Sequence, residues 1–156
     1  MTETLPNNTG STKQFVALTL AGQLFGIPVL NVHDVLQNPT INTIPLAPHE
    51  VAGSLNLRGK IVTAIDLRRR LGINQRDTVE RNTMCIVIDH RGDMYGLVVD
   101  GVRDVLTLPD KDFEKLPSTV QAQWRDISQG IYKLENELLL VLDIGKLFVE
   151  LEERAA

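Results

Sequence analysis

The sequence predicts a mainly β protein built from two homologous halves, and three observations carry that expectation. The chain repeats itself, its apolar runs are short and end at turn residues, and each half closes on an apolar run followed by an aspartate. Phe15–Pro39, FVALTLAGQLFGIPVLNVHDVLQNP, lies over Cys85–Pro109, CIVIDHRGDMYGLVVDGVRDVLTLP, at an offset of 70. Gly22/Gly92, Gly26/Gly96, Val29/Val99, Val32/Val102, Asp34/Asp104, Val35/Val105, Leu36/Leu106 and Pro39/Pro109 are identical. A second block, GSLNLRGKIVTAIDL from Gly53 to Leu67, lies over GIYKLENELLLVLDI from Gly130 to Ile144 at an offset of 77. The change of offset places a seven-residue insertion within residues 110–128. Self-similarity on this scale is the mark of a duplicated unit.

Each element follows from local chemistry. Residues 15–20 and 84–89 are apolar runs long enough for a strand and too short for an ordinary helix. AGQ and HRGD each place a glycine where a tight hairpin turn needs one. LFGIPVLNVHDVL then reads as one long strand, bent or bulged at Gly26, with Gly96 as its counterpart. Pro28, lacking an N–H, fits a sheet edge or a bend. KIVTAIDL and ELLLVLDI close the halves, and Asp66 and Asp143 are suited to cap short helices. Gly72 stops the first. Ile144, Leu147, Phe148 and Leu151 fall on one face of the second, which ends the chain. Five short strands per half suit a small closed barrel, although periodicity alone leaves barrel and sandwich both open.

At 156 residues, 43% hydrophobic and 23% charged, the chain has the composition of a globular protein with a buried core. A net charge of −4 argues against nucleic acid or an acidic membrane surface as partner. Arg68–Arg70 is the only dense basic patch and reads as the solvated face of a short helix, with a docking patch as the alternative. MTETLPNNTGST lacks the basic and apolar regions of a signal peptide, and residues 1–12 are expected to be a disordered tail. The organised region is expected over residues 13–150, with repeat blocks 15–72 and 85–148 and a helix end at 151–156. No apolar stretch is long enough to cross a bilayer, so the expected location is the cytoplasm.

Chemistry is sparse. Cys85 stands alone, which excludes an intramolecular disulfide or a cysteine-cluster metal site, and its apolar run makes it a small core residue. His33, His49 and His90 fall at no ligand spacing, and no phosphate-cradling glycine loop occurs. Neither a catalytic set, a metal site nor a cofactor is expected, and Trp124 in the insertion reads as packing. The residues point to an interaction protein.

Three segments then carry a resemblance. NLRGKIVTAIDLR (Asn56–Arg68) resembles the signature segment of the CheW family of bacterial chemotaxis coupling proteins. YGLVVDGVRDVLTL (Tyr95–Leu108) is similar to its second signature and FGIPVLNVHDVL (Phe25–Leu36) to its first strand pair. The resemblance implies two intertwined five-stranded SH3-like barrels with short helices. It also implies a non-enzymatic, cytoplasmic adaptor, without cofactor, that joins the cytoplasmic tips of methyl-accepting chemoreceptors to the regulatory domain of the histidine kinase CheA in membrane arrays. The family's receptor groove maps onto Val32, Asp34, Gly53, Arg58, Gly96, Val102 and Val105. Arg58 is expected to pair with Asp34 while its stem covers apolar wall. The sequence departs from the family at Thr63, where Pro is usual, and at Asp34, where Glu is usual. The shorter Asp34 would have to meet Arg58 closely or through water. A peptide or small-ligand sensor using the same groove is the alternative, and an enzyme with a hidden site a third reading.

Overall fold

The computed structural model describes residues 11–73 and 83–148. In chain order the elements are β1 (Thr12–Leu20), β2 (Gln23–Pro28), β3 (Val32–Gln37), β4 (Val51–Leu57), β5 (Lys60–Asp66), α1 (Leu67–Arg70), β6 (Met84–His90), β7 (Asp93–Val99), β8 (Gly101–Pro109), α2 (Ala122–Arg125), β9 (Ser128–Lys133) and β10 (Leu138–Leu142). A last helix occupies 144–148. The expected tail residues 1–10 and Leu151 lie outside the described residues. Thr12, assigned to the tail, is already in β1, paired with Pro109.

The strands form two five-stranded sheets, each an SH3-like barrel. Barrel one has the order β8-β1-β2-β10-β9 and barrel two the order β3-β6-β7-β5-β4. Exchanging the two sequence repeats turns one order into the other, strand for strand. Each half therefore gives its opening hairpin to one barrel and its last three strands to the other. The parallel pairs β2·β10 and β5·β7 join the two contributions. Duplication and intertwining are one fact seen in sequence and in space.

This arrangement explains why Phe15–Leu18 and Cys85–Ile88 are apolar at successive positions. Phe15 and Ala17 point into barrel one, while Val16 and Leu18 point into a core shared by both barrels. In the same way Cys85 and Val87 fill barrel two, and Ile86 and Ile88 join the shared core. Both faces of each strand are buried, so the usual alternation disappears. The shared core also takes in Phe25, Ile65, Leu97, Ile127, Leu140, Leu147 and Phe148. Each such side chain, fully buried, contributes about 1.5–3 kcal/mol, so the barrels are held together by a core in its own right.

The turns follow the expectation. Ala21–Gly22 and Arg91–Gly92 both have positive φ at the two hairpin positions, the type I′ geometry that matches strand twist. The glycine bends do not. Gly26 and Gly96 lie within β2 and β7, and the chain leaves the sheet later. In the first half it does so through a single 3-10 turn at Val29–Asn31, and in the second at Asp100. The predicted long strand is thus two strands in two different barrels. What these glycines supply is room: a Cβ at Gly96 would stand 2.5 Å from Cys85 Sγ, and one at Gly26 would stand 3.0 Å from Leu139 Cδ2.

The insertion resolves in stages. Isolated bridges Asn42↔Ser54 and Glu114↔Ile131 occupy matching places, so the offset grows first to 72 and then to 77. The later and larger part holds α2. From α2, Trp124 meets Phe25 edge to face at 5.2 Å, which is the packing role expected.

Candidate functional site

Arg58 is a turn residue. Leu57 pairs with Lys60, and Arg58 and Gly59, with φ of 50° and 86°, form the two-residue type I′ connection between β4 and β5. Asn56 Oδ1 accepts the Gly59 N–H at 2.9 Å and holds the turn. The side chain then reaches β3, where its Nη2 donates to Asp34 Oδ2 at 2.9 Å. Asp34 meets it directly, with no need of bridging water, and its other oxygen accepts the Val35 N–H at 2.8 Å. The Arg58 side chain is 73% exposed and that of Asp34 24%. This is a surface ion pair, worth about 0.2–1 kcal/mol. The expected burial against apolar wall is not found, because a hairpin tip projects beyond the sheet.

The other groove residues divide. Val32 on β3 and Val102 on β8 both pack on the shared core, one from each barrel. Val105 is 55% exposed on β8, and its repeat mate Val35, missed by the mapping, is also exposed on β3. Two expected residues are interior. Gly96 faces Cys85, Val62 and Leu55 inside barrel two. Gly53 lies under the loop that carries Asn42, and a Cβ there would collide with the Asn42 carbonyl. The structure thus brings Asp34 and Arg58 together on barrel two, while Gly53 and Gly96 are packing positions of the same barrel.

A second feature was not anticipated. Barrel one opens into a cavity of about 720 Å³, with Phe15, Tyr132 and Phe113 among its lining and Leu30 at its mouth. Leu30 is 99% exposed and Phe113 40%. The Lys13–Asp110 ion pair, at 3.0 Å, stands at its rim. Burial, reinforced by Asp110, pushes the Tyr132 hydroxyl above its usual pKa, so it stays protonated near neutrality. The signal available in the sequence was Leu30 itself, whose repeat mate is Asp100.

The basic run is not a free face. Arg68 makes two bonds to Asp100, at 2.6 and 2.8 Å. Arg69 approaches Asp66 at 3.5 Å, and Arg70 Nε donates to the Leu147 carbonyl at 3.1 Å. Asp66 caps α1 through the Arg68 N–H, and Asp143 caps the last helix through the Lys146 N–H. Cys85 is fully buried, and desolvation pushes its thiol up to about 12. Among the described residues no group of three or more His, Cys, Asp or Glu side chains could hold a metal ion, and no helix is long and apolar enough to cross a membrane.

The family model of the CheW-like domain matches residues 14–152. The chain belongs to the CheW-like family. A chemotaxis protein CheW of Klebsiella aerogenes is 32% identical over 86% of this chain and 81% of its own. A probable chemotaxis protein CheW of Rhizobium etli is 28% identical over 92% of both chains. The crystal structure of the scaffolding protein TtCheW from Thermoanaerobacter tengcongensis superposes with a TM-score of 0.80, at 31% identity, over 89% of this chain and 94% of that one. The signature segments therefore sit on the CheW fold, and the chain is a chemotaxis coupling protein of the scaffold kind.

Proposed function

We propose that the chain is a non-enzymatic adaptor of the cytoplasm that bridges the cytoplasmic tips of methyl-accepting chemoreceptors and the regulatory domain of a CheA-type histidine kinase. One observation carries the reading: the two barrels, related by sequence, present unlike surfaces to solvent. On barrel two, Arg58 and Asp34 form a charged surface pair, and Val35 is exposed on the opposite face of the same strand. On barrel one, Leu30 and Phe113 line a cavity of mixed polar and aromatic character. A bridge needs two such contacts, and the shared core joins the two barrels that carry them.

We assign the receptor-facing surface to Asp34 and Arg58 with Val32, Val35, Val102 and Val105. Gly53 and Gly96 support it as packing positions of the same barrel. An apolar strip flanked by an ion pair suits a helical hairpin, whose apolar ridge would cover the valines while its polar flank meets the charges. The direct test is reconstitution from purified parts. The kinase regulatory domain should co-sediment with receptor-tip assemblies only when this chain is added. Co-sedimentation without it, or none with it, would overturn the reading.

A further inference from the structure

We propose that Arg68 and Asp100 form a latch that fixes the angle between the two barrels, and that it locks only one of the two places where the chain crosses between them. The second crossing lies at Asp100, between β7 of barrel two and β8 of barrel one. Arg68 belongs to α1, which continues β5 of barrel two. Its Nε and Nη2 donate to the two Asp100 oxygens in the forked geometry of a guanidinium–carboxylate pair. Both side chains are 17% exposed, so solvent and salt screen the pair little.

Asp100 then carries the connection into barrel one. Its Oδ2 accepts the Ala21 N–H at 2.8 Å, at the β1–β2 turn. Its own N–H donates to the Thr19 carbonyl at 3.1 Å. One carboxylate thereby ties α1 of barrel two to the first hairpin of barrel one. The bonds to Asp100 and its charge also raise Arg68 above its ordinary pKa, as a tight pair does.

The duplication supplies an internal control. The first crossing occupies the matching place, with Leu30 for Asp100 and Gly145 for Arg68. Neither has a polar side-chain group, so this bridge cannot form there. The first crossing is a short 3-10 turn with Leu30 in solvent. The shared core holds the barrels in contact, Phe148 packs on His90 and Tyr95 of barrel two, and the Arg68–Asp100 bridge adds a polar tie that only the second crossing has.

The test measures the distance between spin labels placed at Asn136→Cys in barrel one and Lys60→Cys in barrel two. Both positions are exposed hairpin positions, and buried Cys85 stays unlabelled. Arg68→Met and Asp100→Asn should each roughly double the width of the distance distribution, and Leu30→Ser should leave it unchanged. Arg68→Met leaves the largely buried Asp100 carboxylate without its guanidinium and can cost the fold. The double variant Arg68→Met/Asp100→Asn has no such charge and decides the matter. A broadened distribution in that variant supports the latch. A wild-type width in the folded double variant, or equal broadening by Leu30→Ser, overturns it.

Discussion

The two barrels share a strand order and an ancestral sequence, yet they spend their side chains differently. Barrel two is tightly filled: Leu55, Leu57, Val62, Ala64, Cys85 and Val87 close its interior, and Gly96 has no room for a methyl group. Barrel one has Phe15 and Tyr132 in place of Cys85 and Leu55, and its large rings leave an open mouth. The polar surfaces diverge too. Where barrel two sets Arg58 against Asp34, the matching residues of barrel one are Glu135 and Asp104, two acids that cannot pair. Duplication produced the frame, and divergence of single positions produced two different faces.

The largest expected effect that separates the barrels is on stability. Gly96→Ala drives a methyl group against Cys85 Sγ and should cost about 2–3 kcal/mol in denaturant unfolding, whereas Gly26→Ala, which meets a flexible leucine end, should cost about 1 kcal/mol. Adding Cys85→Ala to Gly96→Ala should recover most of the loss. Equal costs at the two glycines would mean that the barrels are equally packed.

Next comes thiol chemistry. In native protein at pH 8, Cys85 should react with a thiol reagent at least about a hundredfold more slowly than in unfolded protein, since burial holds the thiol neutral. The sign of the linkage follows. The folded pKa is raised, so this stabilising contribution is complete below about pH 8.5–9 and is lost as pH climbs toward about 12. Stability that is flat in pH between 9 and 11, in wild type compared with Cys85→Ala, would contradict it.

The smallest expected effects are at the surface. Leu30→Asp at the mouth of barrel one should shift unfolding free energy by less than about 0.5 kcal/mol, because the side chain is already in solvent. If its thermal melt falls by many degrees, the mouth is closed in solution and the contrast between barrels weakens.

How much of this was legible follows from what each signal depends on. The repeat, the tight hairpin turns at Ala21–Gly22 and Arg91–Gly92, the Asp66 and Asp143 caps and the buried Cys85 rest on neighbours in sequence, and all are legible there. The strand crossing at Val29–Asn31 was missed because a run apolar on both faces looks the same whether it stays in one sheet or changes sheets. Gly26 and Gly96 were read as bends because sequence shows that a glycine is needed and not which neighbour crowds it. The exposure of Arg58 was not legible, because nothing in NLRGK shows that the residue stands at a hairpin tip beyond the sheet. The partners that take up Arg68 and Arg70, Asp100 and the Leu147 carbonyl, stand 32 and 77 positions away, beyond any local pattern. Asp34 and Arg58 were paired correctly, although from the resemblance and not from spacing.

The central claim is that the Arg58–Asp34 face of barrel two meets one partner while another part of the molecule meets the second. Arg58→Glu tests it most directly, since the ion pair is exposed and the fold should lose no more than about 1 kcal/mol. Wild type and variant would each be titrated calorimetrically against a receptor-tip fragment and against the kinase regulatory domain. The expected result is a loss of receptor affinity of about tenfold or more, equal to about 1.4 kcal/mol, with kinase affinity changed less than about twofold. Equal losses toward both partners, or an unchanged receptor affinity in a folded variant, would contradict the claim.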